Sequence, residues 1–335
     1  MNLKNKSVMI TGGAGFIGSH LVDRVALEEP EKIVIVDNFF LGKHRNIDSA
    51  MKKYDNIQLN YLDASHYEKM LNIFKLENID VVFNLAVVPL LTSHDLPKIT
   101  CEDNINITLT VLELLRNDCY KTLIHCSSSE VYGSAETVPM SEKHPLNPET
   151  PYAASKAACD LLVGSYERTF GIDAAIIRPF NNYGPRQNEG SYAGVIPITI
   201  QRILDGKPPI IHGTGNQTRD YIFVKDTTDA FVNVYNTKAT RGKTLNIAMG
   251  KEITILSMVQ AIAKELGYKG KLKFEPFRPA DVMRHKADIS LAKELIGYRP
   301  KTDFKEGIRN TVTWYETILS KRRKNRSITK NKCND

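Results

Sequence analysis

Cysteine is scarce in this chain and never paired. Cys101, Cys119, Cys126, Cys159 and Cys333 form no CxxC, and their number is odd. That pattern argues against a zinc cluster and a disulfide framework, and it fits a reducing, cytoplasmic setting. The eight histidines show no HExxH or similar ligand spacing, so no dedicated metal site is expected. No apolar run reaches the roughly 18 residues that cross a bilayer, and residues 1–10 lack the long apolar stretch of a signal peptide. Neither membrane insertion nor secretion is expected. A GxSxG motif is also missing, which sets acyl transfer aside.

Excess charge is missing from most of the chain as well. The formal net charge is +7, but residues 321–335 supply seven Lys/Arg and one Asp, leaving 38 Lys/Arg against 37 Asp/Glu elsewhere. The body is nearly neutral, so no nucleic-acid partner is expected. The run KRRKNRSITKNKCND reads as a basic, disordered, solvated tail.

What is present is a rhythm of strands and helices. SVMIT (7–11), KIVIV (32–36), VVFNL (81–85), TLIHC (122–126) and AAIIR (174–178) are short, apolar and rich in Val and Ile, as buried parallel strands are. Helical spacing runs through 17–29, 65–77, 107–118 and 152–171; in the last, Ala154, Ala158, Leu161, Leu162 and Ser165 share one side. The alternation predicts an α/β fold, a Rossmann-type doubly wound parallel sheet over 1–178. Gly and Pro recur after 178 and the rhythm weakens, which predicts a smaller C-terminal α/β substrate lobe over 179–320. A segment near 226–245 is expected to pack back on the first domain.

TGGAGFIG (11–18) sits at the first strand–helix junction, with Gly12, Gly15 and Gly18 in a GxxGxxG pattern. Glycines there allow a tight turn and close approach of a pyrophosphate to a helix N-terminus. The second strand ends in Asp37, 19 residues after Gly18. A carboxylate at that point suits ribose hydroxyls and repels a 2′-phosphate, which favours NAD; His44 and Arg45, close by, pull the other way.

Tyr152 and Lys156 form YAASK, and positions i and i+4 share a helix face. An ammonium beside a phenol would lower the phenol's pKa and make it a base. Ser127–Ser129 lie at a strand end upstream.

Together these motifs resemble the extended short-chain dehydrogenase/reductase superfamily, in particular its NAD-dependent nucleotide-sugar epimerases and dehydratases, over about residues 7–315. The resemblance implies cofactor contacts from Gly12, Gly15, Phe16, Ile17 and Gly18. It adds Asp37, Asn38, Asp63 and Ala64, then Leu85 and Ala86 in NLAV, and Tyr152, Lys156 and Pro179. Ser128, Tyr152 and Lys156 become the hydride-transfer set. Ser129, Asn181 in RPFNNYGPRQ, Arg219 and Arg278 become substrate contacts, the arginines on the pyrophosphate or nucleoside. It also implies a homodimer paired through helices near 104–116 and 152–170.

HCSSSEVYGS (125–134) carries the discrimination. Glu130 stands where 4-epimerases typically have a small or hydroxyl residue, and it resembles the 4,6-dehydratases and the nucleotide-sugar decarboxylases. Oxidation at C4 acidifies the C5 proton, and a carboxylate can remove it. Ser129 departs from the dTDP-glucose 4,6-dehydratases, which have Asp there; GDP-mannose-type dehydratases also lack that Asp. The reading is a 4,6-dehydratase, with a 4-epimerase as the alternative and a decarboxylase behind it.

Overall fold

Alternate residues in each central strand enter opposite cores. In β1 (Ser7–Thr11), Val8 and Ile10 enter one core and Met9 the other. In β2 (Lys32–Asp37), Ile33 and Ile35 part from Val34 and Val36 in the same way. A sheet buried on both faces must be covered by helices on both. The computed structural model, which describes residues 1–189, 193–277 and 283–332, has this arrangement.

Strands β3 (Ile57–Tyr61), β4 (Val81–Asn84), β5 (Thr122–Cys126) and β6 (Ala174–Pro179) complete the first half. Between the strands run α1 (Phe16–Ala26), α2 (His44–Lys53), α3 (Tyr67–Glu77), the short α4 (Thr92–Asp95), α5 (Pro97–Arg116) and α6 (Pro151–Phe170). Beyond them come β7 (Asn181–Tyr183), α7 (Val195–Leu204), β8 (Ile210–His212), β9 (Thr218–Arg219) and β10 (Tyr221–Phe223). Helix α8 (Val224–Asn236) and β11 (Thr244–Ile247) then return to the first domain. Phe231 and Val234 of α8 join the core of α1, and β11 pairs with β6. The seven parallel strands stand in the order β11-β6-β5-β4-β1-β2-β3. Strand order reverses between β1 and β4, and the crevice at such a switch point is where α/β sheets bind ligands.

The lobe closes with β12 (Ile253–Thr254), α9 (Ile255–Glu265), β13 (Lys273–Glu275), α10 (Ser290–Ile296) and α11 (Phe304–Lys332). Its separate core gathers Tyr183, Ile200, Ile211, Phe223, Ile262 and Tyr315.

The side of α6 that Ala154, Ala158, Leu161, Leu162 and Ser165 share turns away from the sheet: Ala154, Leu161 and Ser165 are exposed, Leu161 by 62%. The inner face of α6 is instead Ala153, Lys156, Ala157, Asp160 and Val163, because the polar residues on it are fixed from the strand ends. The backbone of 321–332 continues α11. Lys and Arg propagate a helix well, and cations at a helix C-terminus complement its dipole.

Candidate active site

The glycine loop leaves β1 at Thr11, whose hydroxyl accepts the Leu85 and Ala86 N–H groups, both at 3.1 Å, from the end of β4. Gly12 has φ +68°, and a Cβ there would stand 2.8 Å from the Ala86 nitrogen. A Cβ on Gly18 would collide with the Gly12 carbonyl. Gly15 caps α1 with no side-chain hydrogen bond, so the first-turn N–H groups are left for a ligand. Asp37 ends β2 with both oxygens engaged, accepting Ala14 N–H and Phe39 N–H at 2.8 Å each. Burial pushes its carboxyl up, against those bonds and the nearby His44. Asn38 donates to Asp63 at 2.9 Å.

These residues line one cavity of about 330 Å³. It contains all fourteen residues expected at the cofactor: Gly12, Gly15, Phe16, Ile17, Gly18, Asp37, Asn38, Asp63, Ala64, Leu85, Ala86, Tyr152, Lys156 and Pro179. A floor that tolerates no Cβ, an uncapped helix end and a carboxylate at the far strand fit a dinucleotide.

A second cavity, of about 440 Å³, meets the first at Ser128, Pro179, Phe180 and Asn182. Ser129, Glu130, Asn181 and Arg219 line it. Arg278 lies outside the described residues. Glu130 stands on a 3₁₀ turn, Ser129–Tyr132, whose N-cap is Ser128; the Ser128 Oγ accepts the Glu130 N–H at 3.2 Å. The rest of the turn is bolted to the sheet. Tyr132 donates to Asn246 at 2.7 Å and accepts from Arg178 at 2.9 Å, and Arg178 pairs with Asp160 of α6 at 2.8 Å, all buried. Glu130 is partly exposed, and it faces the cavity. Burial nonetheless pushes its carboxyl above the ordinary value, the Arg219 charge draws it back, and Glu149 adds to the rise.

Tyr152 overturns one expectation. Its phenol is raised, not lowered: burial is the main cause, the Cys126 thiol adds to it, and a hydrogen bond with Ser128 opposes it. Lys156 shares the helix face but gives its ammonium to the Cys126 carbonyl at 2.6 Å. The YxxxK spacing predicts the shared face correctly and says nothing about this competing acceptor.

Sequence reasoning did not find Thr199, Arg202, His212 and Gln217, which line the far end of the second cavity from α7, β8 and the turn before β9. No motif marks them, since the four come from three separate segments. It also missed His285, buried, with its ring centre 4.9 Å from that of Phe180. Among the described residues, no group of three or more His, Cys, Asp or Glu is placed to hold a metal ion, and no helix is long and apolar enough to cross a membrane.

With this geometry, comparison with known proteins is decisive for the family. A family model described as GDP-mannose 4,6 dehydratase matches residues 9–311. The chain belongs to that family, the extended short-chain nucleotide-sugar epimerases and dehydratases. It is 35% identical to the putative UDP-glucose 4-epimerase of Methanocaldococcus jannaschii, over 92% of this chain and 97% of that one. The solved UDP-glucose 4-epimerase of Thermotoga maritima, with UDP-glucose, superposes with a TM-score of 0.88 at 30% identity, covering 93% of this chain and 99% of that one. The dTDP-glucose 4,6-dehydratase of Streptomyces venezuelae, with NAD bound, gives 0.85 at 27% identity, covering 93% and 97%. Relatives named for both reactions thus share one scaffold, so the fold alone does not choose between them.

Proposed function

We propose that this chain is an NAD-dependent nucleotide-sugar 4,6-dehydratase. The observation that carries the reading is Glu130, a cavity-facing carboxylate with a raised pKa, next to Ser128 and Tyr152. A carboxyl tuned upward is a better base near neutral pH.

NAD, when bound, would supply the acceptor for a hydride from sugar C4 and the donor of one at C6. The glycine loop would hold its pyrophosphate, and Asp37 would meet the adenosine ribose. Asn38 and Asp63 flank the adenine. Lys156, fixed by the Cys126 carbonyl, lies where the nicotinamide ribose would be. Tyr152, once deprotonated, would accept the C4 hydroxyl proton, the positive charge of bound NAD offsetting the burial that raises the phenol, and Ser128 would steady the developing ketone. Glu130 removes the C5 proton that the ketone has acidified. Position 129 is a serine, so the proton Glu130 has taken is the one at hand for the departing C6 hydroxyl. The sugar loses one water, with no net oxidation. Asn181 and Arg219 hold the substrate, Arg219 as a fork for phosphate oxygens. The outward stripe of α6, Ala154, Leu161 and Ser165, is the natural pairing face of a homodimer.

A second reading, 4-epimerisation, is favoured by the names of the relatives, and it needs Ser128, Tyr152 and Lys156 but not Glu130. Incubation with a panel of nucleotide-sugars and mass analysis of the products separates the two. A product lighter by one water supports the proposal. An isomer of unchanged mass replaces it with the epimerase, and loss of carbon dioxide from a uronic acid replaces it with a decarboxylase.

A further inference from the structure

Two cations stand beside the carboxylate that reads the ribose. The segment 42–46 packs against the glycine loop: the Lys43 N–H donates to the Ala14 carbonyl at 3.1 Å, and the Asn46 amide donates to the same carbonyl at 2.9 Å. Ala14 in turn donates to Asp37. Gly42 lies so close that a Cβ on it would stand 2.5 Å from Asp37 Oδ1. Gly42 lines the cavity beside Asp37, and Lys43 and Arg45 follow it in the chain without lining the cavity themselves, which puts two cations behind the end of the cleft where a dinucleotide carries, or lacks, a 2′-phosphate. On their own they would form the anion site that an NADP enzyme needs.

They are not on their own. Glu189, far away in sequence and just beyond the RPFNNYGPRQ segment, reaches both. Arg45 donates to its Oε1 at 2.9 Å, and Lys43 lies 3.7 Å from its Oε2. The Glu189 side chain is only 13% exposed. Arg45 also lies under Trp314 of α11, with its guanidinium carbon 5.7 Å from the ring centre. The segment that presents Glu189 is fastened on two sides. His20 bonds the Pro185 carbonyl at 2.9 Å, Arg186 pairs with Asp23 of α1 at 2.8 Å, and Tyr315 donates to the Gln187 carbonyl at 2.7 Å. Its next residue, Asn188, lines the cofactor cavity.

We propose that Glu189 is a cofactor-specificity residue: by engaging Lys43 and Arg45, it denies a 2′-phosphate the two cations that follow Gly42. Asp37 repels that phosphate directly, and Glu189 removes what would attract it. The inference rests on the reading of the first cavity as a dinucleotide site.

Trp314 is the single tryptophan and sits on Arg45, so its fluorescence reports the binding of either dinucleotide without any turnover. The chain is first stripped of bound nucleotide, then titrated with NAD and with NADP. Glu189→Gln is compared with the native side chain, in the natural background and with Asp37→Asn. The expected result is NADP binding tightened by roughly tenfold or more, the worth of one charge-assisted hydrogen bond, with NAD affinity unchanged. Adding Arg45→Met to Glu189→Gln should cancel the gain. Unchanged NADP affinity in both backgrounds overturns the proposal. So does a joint loss of NAD and NADP affinity, which would make Glu189 a structural clasp only. A native chain that binds neither dinucleotide sinks the cofactor reading itself, and the proposal with it.

Discussion

The two cavities are built on different principles. The cofactor cleft is mostly backbone: a glycine loop, an uncapped helix end and two strand ends, drawn from short contiguous motifs. The second cavity is lined from a 3₁₀ turn, strands and helices that lie far apart in sequence. Backbone geometry demands particular residues at fixed spacing, so a cleft of the first kind is written in local motifs. Side chains converge by tertiary packing, so the proposed reaction of the second cavity depends on individual residues. Glu130 is the residue on which that argument turns.

The sharpest break of the comparison is at Gly12. With φ +68° and the Ala86 backbone 2.8 Å from any added Cβ, Gly12→Val has no room to relax. Cofactor binding should be abolished while the lobe core around Ile200 and Ile262 stays folded. Nucleotide titration with near-UV circular dichroism checks both halves. Retained NAD affinity would mean the loop is not the cradle described.

Next in size is Glu130→Gln, which leaves the first cavity untouched. Solvent deuterium incorporation at C5 should fall by roughly 10²–10⁴-fold, the usual worth of a positioned acid–base group, and the 4-keto sugar should accumulate. In the native protein the raised carboxyl should lift the acid limb of the rate profile above that of an ordinary glutamate: activity falls as pH drops through the raised pKa, because the base is then protonated. A variant with native turnover would promote the epimerase.

Legibility followed the same division. The strands at 7–11, 32–36, 81–85, 122–126 and 174–178 were readable because each is buried on both faces and dense in β-branched residues. β3 was missed because it is the sheet edge, with Gln58 and Tyr61 exposed, and β11 because four residues, TLNI, carry little pattern. α2 was missed because His44–Lys53 is mostly polar. The fourteen residues that motifs and the family resemblance assign to the cofactor all line one cavity, because short motifs encode backbone. The Lys156–Cys126 bond, the Glu189 clasp and the His285–Phe180 contact could not be named, since none is local in sequence.

A smaller effect tests the bolt between the two regions. Asp160→Asn leaves Arg178 buried without its counter-charge, beneath the turn that carries Glu130. Breaking such a pair costs about 3–5 kcal/mol. Chemical denaturation should register that loss, and the rate should fall further than NAD affinity does. Equal loss of both would mean that the network supports the whole sheet and not the turn.

The smallest effect is expected at the end of the chain. Among the described side chains of α11, the buried apolar ones are Ile308, Val312, Tyr315 and Leu319. From 321 to 332 the sequence has seven Lys/Arg, no acid, and Ile328 as its one large aliphatic residue. A helical extension of that length is marginal by itself in water, and like charges along it repel. Nothing in its composition can bury enough apolar area to offset the cost of ordering. Truncation after Ser320 should therefore shift stability by less than about 0.5 kcal/mol, remove only the far-UV signal of the extra turns, and leave turnover unchanged. A large loss of activity would place the basic run against the body or a partner, and the division between a neutral enzyme and a dispensable tail would fail.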